Sequence, residues 1–180
     1  GLLIRLADET SSNEVRRAAY ATLWNASKVE TVWQQASKSR SQMKAAISSM
    51  EAIEDSQKLE ILYPLVRSLM IGLGPKFDDE VATQNTGDLE QQALKIIARW
   101  PGHTDEKIVD FAKLTSEERM ATSALTALAS LPTQTVAGQL TPSDASVILT
   151  KILSLAAEAT PVERQESGYA NWLDLGAALS

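Results

Sequence analysis

Apolar residues recur along this chain three, four and seven positions apart, and almost never in simple alternation. Val29, Val32, Trp33 and Ala36 form one such stripe; Leu89, Ala93, Ile96 and Ile97 form another that ends at Trp100. This spacing lines up one face of a helix. No stretch alternates apolar with polar residues while being rich in Val, Ile, Tyr and Phe, so strands are not expected. Helix starts are signalled as well. Ser or Thr followed three residues later by Glu or Gln occurs at Ser11/Glu14, Ser27/Glu30, Ser39/Gln42, Thr115/Glu118 and Thr160/Glu163, each before a periodic run. In that arrangement each side chain satisfies a backbone N–H of the first turn that has no partner within the helix. Thr141-Pro142 and Thr160-Pro161 add proline at the first helical position, where its fixed φ is tolerated.

The pattern predicts about ten helices, near 1–8, 12–25, 28–37, 40–53, 56–73, 88–100, 105–113, 116–131, 142–158 and 161–179. Short connections pair them as antiparallel neighbours, about five pairs in a row within one domain over 1–180. Pro64 falls inside the longest of these helices and is expected to kink or split it near Tyr63. The long exception is the polar segment 74–88, GPKFDDEVATQNTGD, rich in turn formers and read as a loop. The second helices of the pairs align with one another. Val15, Met43, Leu89 and Met120 occupy one register, and Ala19, Ile47, Ala93 and Ala124 follow four residues on; Thr22, Met50, Ile96 and Ala127 come next. One position later Leu23, Ile97 and Leu128 agree, whereas Glu51 does not. Helix pairs repeating every 30 to 50 residues or so indicate an α-solenoid.

The stretch NEVRRAAYATLW, residues 13–24, resembles the second helix of a HEAT repeat, with echoes in SQMKAAISSM, DLEQQALKII and ERMATSALTAL. The resemblance implies an all-α superhelix of HEAT/armadillo type. It departs from the family where Arg16 is followed by Lys44, Glu90 and Ala121 at the equivalent site, which breaks a regular basic ladder. The ending ATPVERQESGYANWLDLGAAL is similar to the segment closing the helical module of large exported bacterial proteins that resemble sugar dehydrogenases with an attached haem c domain. That second resemblance implies an accessory domain whose chemistry lies elsewhere in the parent protein. It inclines the reading toward an exported compartment.

Composition narrows the function classes. The net charge is −6, and neither acids nor bases form a long block, so the basic footprint of a nucleic-acid binder is missing. Zero cysteines remove disulfides, thiolate nucleophiles and thiolate metal sites, while fitting cytoplasm and exported space alike. The most apolar stretch, ILYPLVRSLMIGLG, is interrupted by Pro64 and Arg67, and no membrane insertion is expected. Residues 1–8, GLLIRLAD, lack the layout of a signal peptide and read as a helix under way, which suggests a fragment of a longer protein.

Candidate chemistry is sparse. The one histidine, His103, stands between two helices and reads as a turn or cap residue. Without a second His or any Cys, the usual zinc and copper ligand sets cannot be assembled, and no cofactor is implied. Asp78, Asp79 and Glu80 lack the alternating spacing that wraps calcium and read as a solvated acidic loop. No G-x-S-x-G elbow, haem attachment motif or glycine-rich nucleotide loop is present, and nothing singles out any carboxylate pair for acid–base work. Asn25-Ala26-Ser27 matches a glycosylation sequon, but Ser27 has a use as a helix cap. Trp33 and Trp100 are assigned to the core, and Trp172 to a packed terminal helix with Tyr169, Leu175 and Leu179.

The expectation is therefore a non-catalytic scaffold that holds a protein partner or neighbouring domains of its own chain. The residues expected to carry contacts are Phe77, Asp78, Asp79 and Glu80 of the loop, with Arg16 and Arg17 on the stack; Lys44 and Arg99 are candidates for the same basic surface. An accessory domain of an exported oxidoreductase and a helical enzyme using carboxylates are the competing classes.

Overall fold

A computed structural model describes residues 2–77 and 87–180, and everything said of the structure refers to them. The chain is all-α: eleven α-helices and two short 3-10 segments appear among the described residues, with no strand. The chain divides into two compact units, Gly1–Ile96 and Ile97–Ser180.

The first unit holds α1 (Leu2–Glu9), α2 (Asn13–Ala26), α3 (Val29–Ala36), α4 (Arg40–Ser48), a 3-10 turn (Met50–Ala52), α5 (Ser56–Met70) and the start of α6 (Gly87–Arg99). Helix α1 packs on α2, α3 on α4, α2 also on α4, and α5 on α3. The aligned register is apolar for a packing reason: Ala19, Leu23, Met43, Ile47, Met50, Leu89 and Ala93 are all buried. Val15, at 39% exposed, and Thr22, also exposed, depart from it, and Ile96 is half-buried. Trp24 fills the centre, fully buried, and its indole N–H donates to Ala46 O and Ser49 Oγ, both at 3.0 Å. The structure leaves Trp33 only half-buried, so of the stripe beginning at Val29 it is Val29, Val32 and Ala36 that seat in the core.

The second unit contains α7 (Thr104–Leu114), α8 (Ala121–Ala129), α9 (Thr133–Gln139), α10 (Pro142–Glu158), a 3-10 turn (Glu163–Gln165) and α11 (Ser167–Ala178). Helix α7 packs on α8 and α9, and α11 on α8, α9 and α10. Trp100, Ile108, Phe111, Met120, Ala124, Leu125, Leu128 and Leu175 are buried. Trp172 is half-buried; its N–H reaches Thr126 Oγ1 at 3.2 Å and its ring lies 6.4 Å from that of Tyr169, so the last helix packs back onto α8.

Several local expectations are refined or corrected. Helix α5 runs through Pro64 as one helix, so it is not split near Tyr63. Pro64 is exposed, so water can reach the carbonyl one turn earlier that loses its N–H donor. That helix stops at Gly72 (φ +73): Leu73 N–H bonds Ser68 O at 2.8 Å and Gly72 N–H bonds Leu69 O at 3.1 Å, the paired closure that a left-handed residue permits. The cap of α2 is Ser12 and not Ser11, because Val15 N–H donates to Ser12 Oγ. Ser39 caps α4 and Thr141 caps α10 as expected. Ser27 instead closes α2, and α3 starts at Lys28 with no side-chain cap. Thr115 turns its hydroxyl back to Ala112 O at 2.6 Å and ends α7, which delays α8 to Ala121. The Thr160/Glu163 box forms in both directions but opens only a 3-10 turn.

No described helix is long and apolar enough to cross a membrane.

Candidate interaction surface

Three helix ends receive a cation from another helix, and two of them, those of α1 and α2, have no basic residue in their own last turn. Carbonyls of a last turn carry partial negative charge and have no intrahelical donor. At the end of α1, which has no basic residue in its last turn, Arg16 of α2 donates from Nε to Ala7 O at 3.1 Å and from its terminal nitrogens to Thr10 O and Asn13 Oδ1. At the end of α2, likewise without a basic residue, Lys58 of α5 donates to Trp24 O at 2.7 Å, Asn25 O at 2.8 Å and Ser27 O at 3.3 Å. In the second unit Lys107 of α7, only 3% exposed, donates to Trp100 O just beyond α6, and burial lowers its pKa.

Acidic and neutral polar groups tie α1 down further. Asp8 accepts from the amides of Gln35 and Gln42, and Lys38 approaches it at 3.9 Å. Tyr20 lies fully buried nearby with its hydroxyl unpartnered, and its pKa is raised, first by burial and then by Asp8. Asn25 is likewise engaged: its amide donates to Ala52 O at 2.9 Å.

These bonds separate the two arginines that the sequence places side by side. Successive residues on a helix point about 100° apart. Arg16 turns toward α1 and is a structural tie. Arg17 points outward, is exposed, and has no hydrogen bond or ion pair among the described residues. It lines a trough of about 780 Å³ whose walls are Asn13, Glu14, Arg17, Ala18 and Ala21 of α2 and Ser41, Lys44, Ala45 and Ser48 of α4. Lys44 lies on the far wall and is already engaged, paired with Asp88 of α6, whose carboxyl it holds below the usual range. Gln92 of α6 also donates to Ser48 Oγ. A second hollow, of about 600 Å³, shares Ala21 and continues past Thr22, Asn25 and Ala26 to Ala52 and Glu54.

Phe77 is 5% exposed, so its ring serves the interior and offers no surface anchor. Asp78, Asp79 and Glu80 lie outside the described residues. Arg99 is exposed and belongs to the second unit. His103 sits at the cap of α7 in a left-handed conformation (φ 54), with Nδ1 3.8 Å from Glu106 Oε1. Among the described residues no three His, Cys, Asp or Glu side chains gather as a metal site.

The trough residues that sequence reading missed are Asn13, Glu14, Ala18, Ala21, Ser41, Ala45 and Ser48. Their signal is the spacing itself: 14, 17, 18 and 21 on one helix and 41, 44, 45 and 48 on the other form matching i, i+3, i+4, i+7 faces of small and polar residues.

Comparison with family models, with curated proteins and with solved structures finds no match to this chain.

Proposed function

We propose that this chain is a non-catalytic interaction scaffold of the HEAT-like helical-repeat kind, holding a protein partner or a neighbouring domain along the trough between α2 and α4. The observation that carries this reading is the trough: two helix faces of equal spacing, floored by alanine and serine and left open in the described structure. Successive pairs α1/α2 and α3/α4, with the second helices in contact, support the repeat reading, since stacking of pairs is what builds such a surface.

The test is site-specific photocrosslinking in an extract of the source cells. Benzoylphenylalanine in place of exposed Ser41, on the trough wall, is expected to capture one saturable protein species, or a neighbouring domain when the parent protein is used. The same group in place of exposed Gln57 on α5 is the control. Equal labelling from both positions, or none from Ser41, overturns the proposal.

A further inference from the structure

Resting on the reading of the trough as a docking site, we propose that its occupant is an α-helix of a protein partner that sets a carboxylate side chain against Arg17 and a basic side chain, one turn away, against Glu14. The shape argues for a helix. Both walls present residues at helical spacing, and Ala18, Ala21, Ala45, Ser41 and Ser48 are small enough for a third helix to approach at about 8 Å, the close end of interhelical distances. The lining runs from Asn13 to Ala21 on α2 and from Ser41 to Ser48 on α4, about 12 Å at 1.5 Å per residue, which accommodates about two turns of a docked helix.

The charges select what that helix carries. Of the two cations in the trough, Lys44 already has the Asp88 carboxylate beside it, whereas Arg17 has no anion bonded to it among the described residues. A planar guanidinium left open beside a groove matches a carboxylate in two-point contact. Glu14 stands one turn before Arg17 on the same face and would repel a dianionic phosphate or a nucleic-acid backbone. It favours a monoanion accompanied by a base three or four residues along the partner helix. The overall charge of −6 makes an indiscriminate acidic partner unfavourable, so the recognition must be local.

The test uses a surface-displayed library of helical peptides, about five turns long with random outward positions, selected on the full 180-residue chain. Binders are expected to converge on Asp or Glu at one position with Lys or Arg three or four residues away. Their affinity should fall about tenfold or more on Arg17→Ala, the scale of losing one partner of a charge pair. Selection on Arg17→Glu should invert the converged acid to Lys or Arg. Ala21→Trp, which fills the trough, and Ala18→Trp, at an exposed position on the same α2 wall, should each abolish binding while circular dichroism stays unchanged. Binders that the trough-filling variants abolish, yet which show no acid preference and no inversion, overturn this inference and leave the docking reading standing. A library that yields no binder sensitive to either tryptophan overturns both.

Discussion

Lys58→Met removes an ammonium and little else, because the thioether side chain keeps most of the apolar stem. The ammonium closes the end of α2 by donating to Trp24 O, Asn25 O and Ser27 O at 2.7, 2.8 and 3.3 Å. Summing three charge-assisted bonds at about 1.5 to 3 kcal/mol each would overshoot, since water replaces the ammonium at the exposed Asn25 carbonyl. What water does not replace is the fixed positive charge at a helix end, about 1 to 2 kcal/mol in partly buried geometry, together with the half-buried bond to Trp24 O. A loss of about 2 kcal/mol is therefore expected, roughly a thirtyfold change in the folded-to-unfolded ratio of the first unit. Urea denaturation followed by tryptophan fluorescence gives the total, and native-state hydrogen exchange at the last-turn amides of α2 localises it. Lys58→Arg should recover at least half of the loss, because the positive charge remains. A loss under about 0.5 kcal/mol for Lys58→Met, or an arginine variant as weak as the methionine one, would refute the assignment of Lys58 as the charge that closes α2.

Trp24→Phe should cost about 2 to 3 kcal/mol in the same denaturation assay, since it removes bonds to Ala46 O and Ser49 Oγ and leaves a void at a fully buried site. His103→Gly should stabilise by about 0.5 to 1 kcal/mol in thermal melts, because φ 54 costs histidine more than glycine; a destabilisation would mean that its contact with Glu106 outweighs the backbone cost. Lys107 tests linkage. Burial depresses its folded pKa, so between that value and the ordinary lysine range the unfolded chain binds more protons and stability rises with pH. Wild type should therefore gain on Lys107→Met as pH goes from about 8 to 10, and a difference that stays flat or moves the other way contradicts the buried-charge assignment.

Helix type and core membership were legible because both follow from local periodicity. Met43, Ile47, Leu89, Ala93, Met120 and Ala124 are apolar at one register, and all are buried. Helix α9 was missed because its sequence, TQTVAGQ, has weak helix formers and only Val136 buried; packing on α7 and α11 supplies what propensity does not. Cap positions slipped where neighbouring residues competed. Ser12 N–H donates to Thr10 Oγ1, which places Ser12 rather than Ser11 at the start of α2. The Ser27 and Thr115 motifs failed for a related reason, since each residue is taken by the end of the preceding helix. The site was legible only by half: adjacency of Arg16 and Arg17 suggested one basic surface, but which of them turns inward depends on where α1 ends, and the sequence around position 16 does not state that.

The fate of the cations is the wider physical point. Arg16, Lys58 and Lys107 satisfy the ends of helices other than their own, and Lys44 is paired with Asp88. A formal charge counts these residues as available to a partner, yet engaging Arg16, Lys58 or Lys107 would first mean breaking a bond that holds a helix end, and Lys44 already has a carboxylate beside it. The electrostatic character of a binding surface therefore follows from the charges left over after helix ends and ion pairs are served, and in the α2/α4 trough those are Arg17 and Glu14. Opposite charges one turn apart read an ordered pair on a partner and respond weakly to its net charge. Recognition there should thus depend on spacing, a property that substitution can reverse in sign without altering the fold.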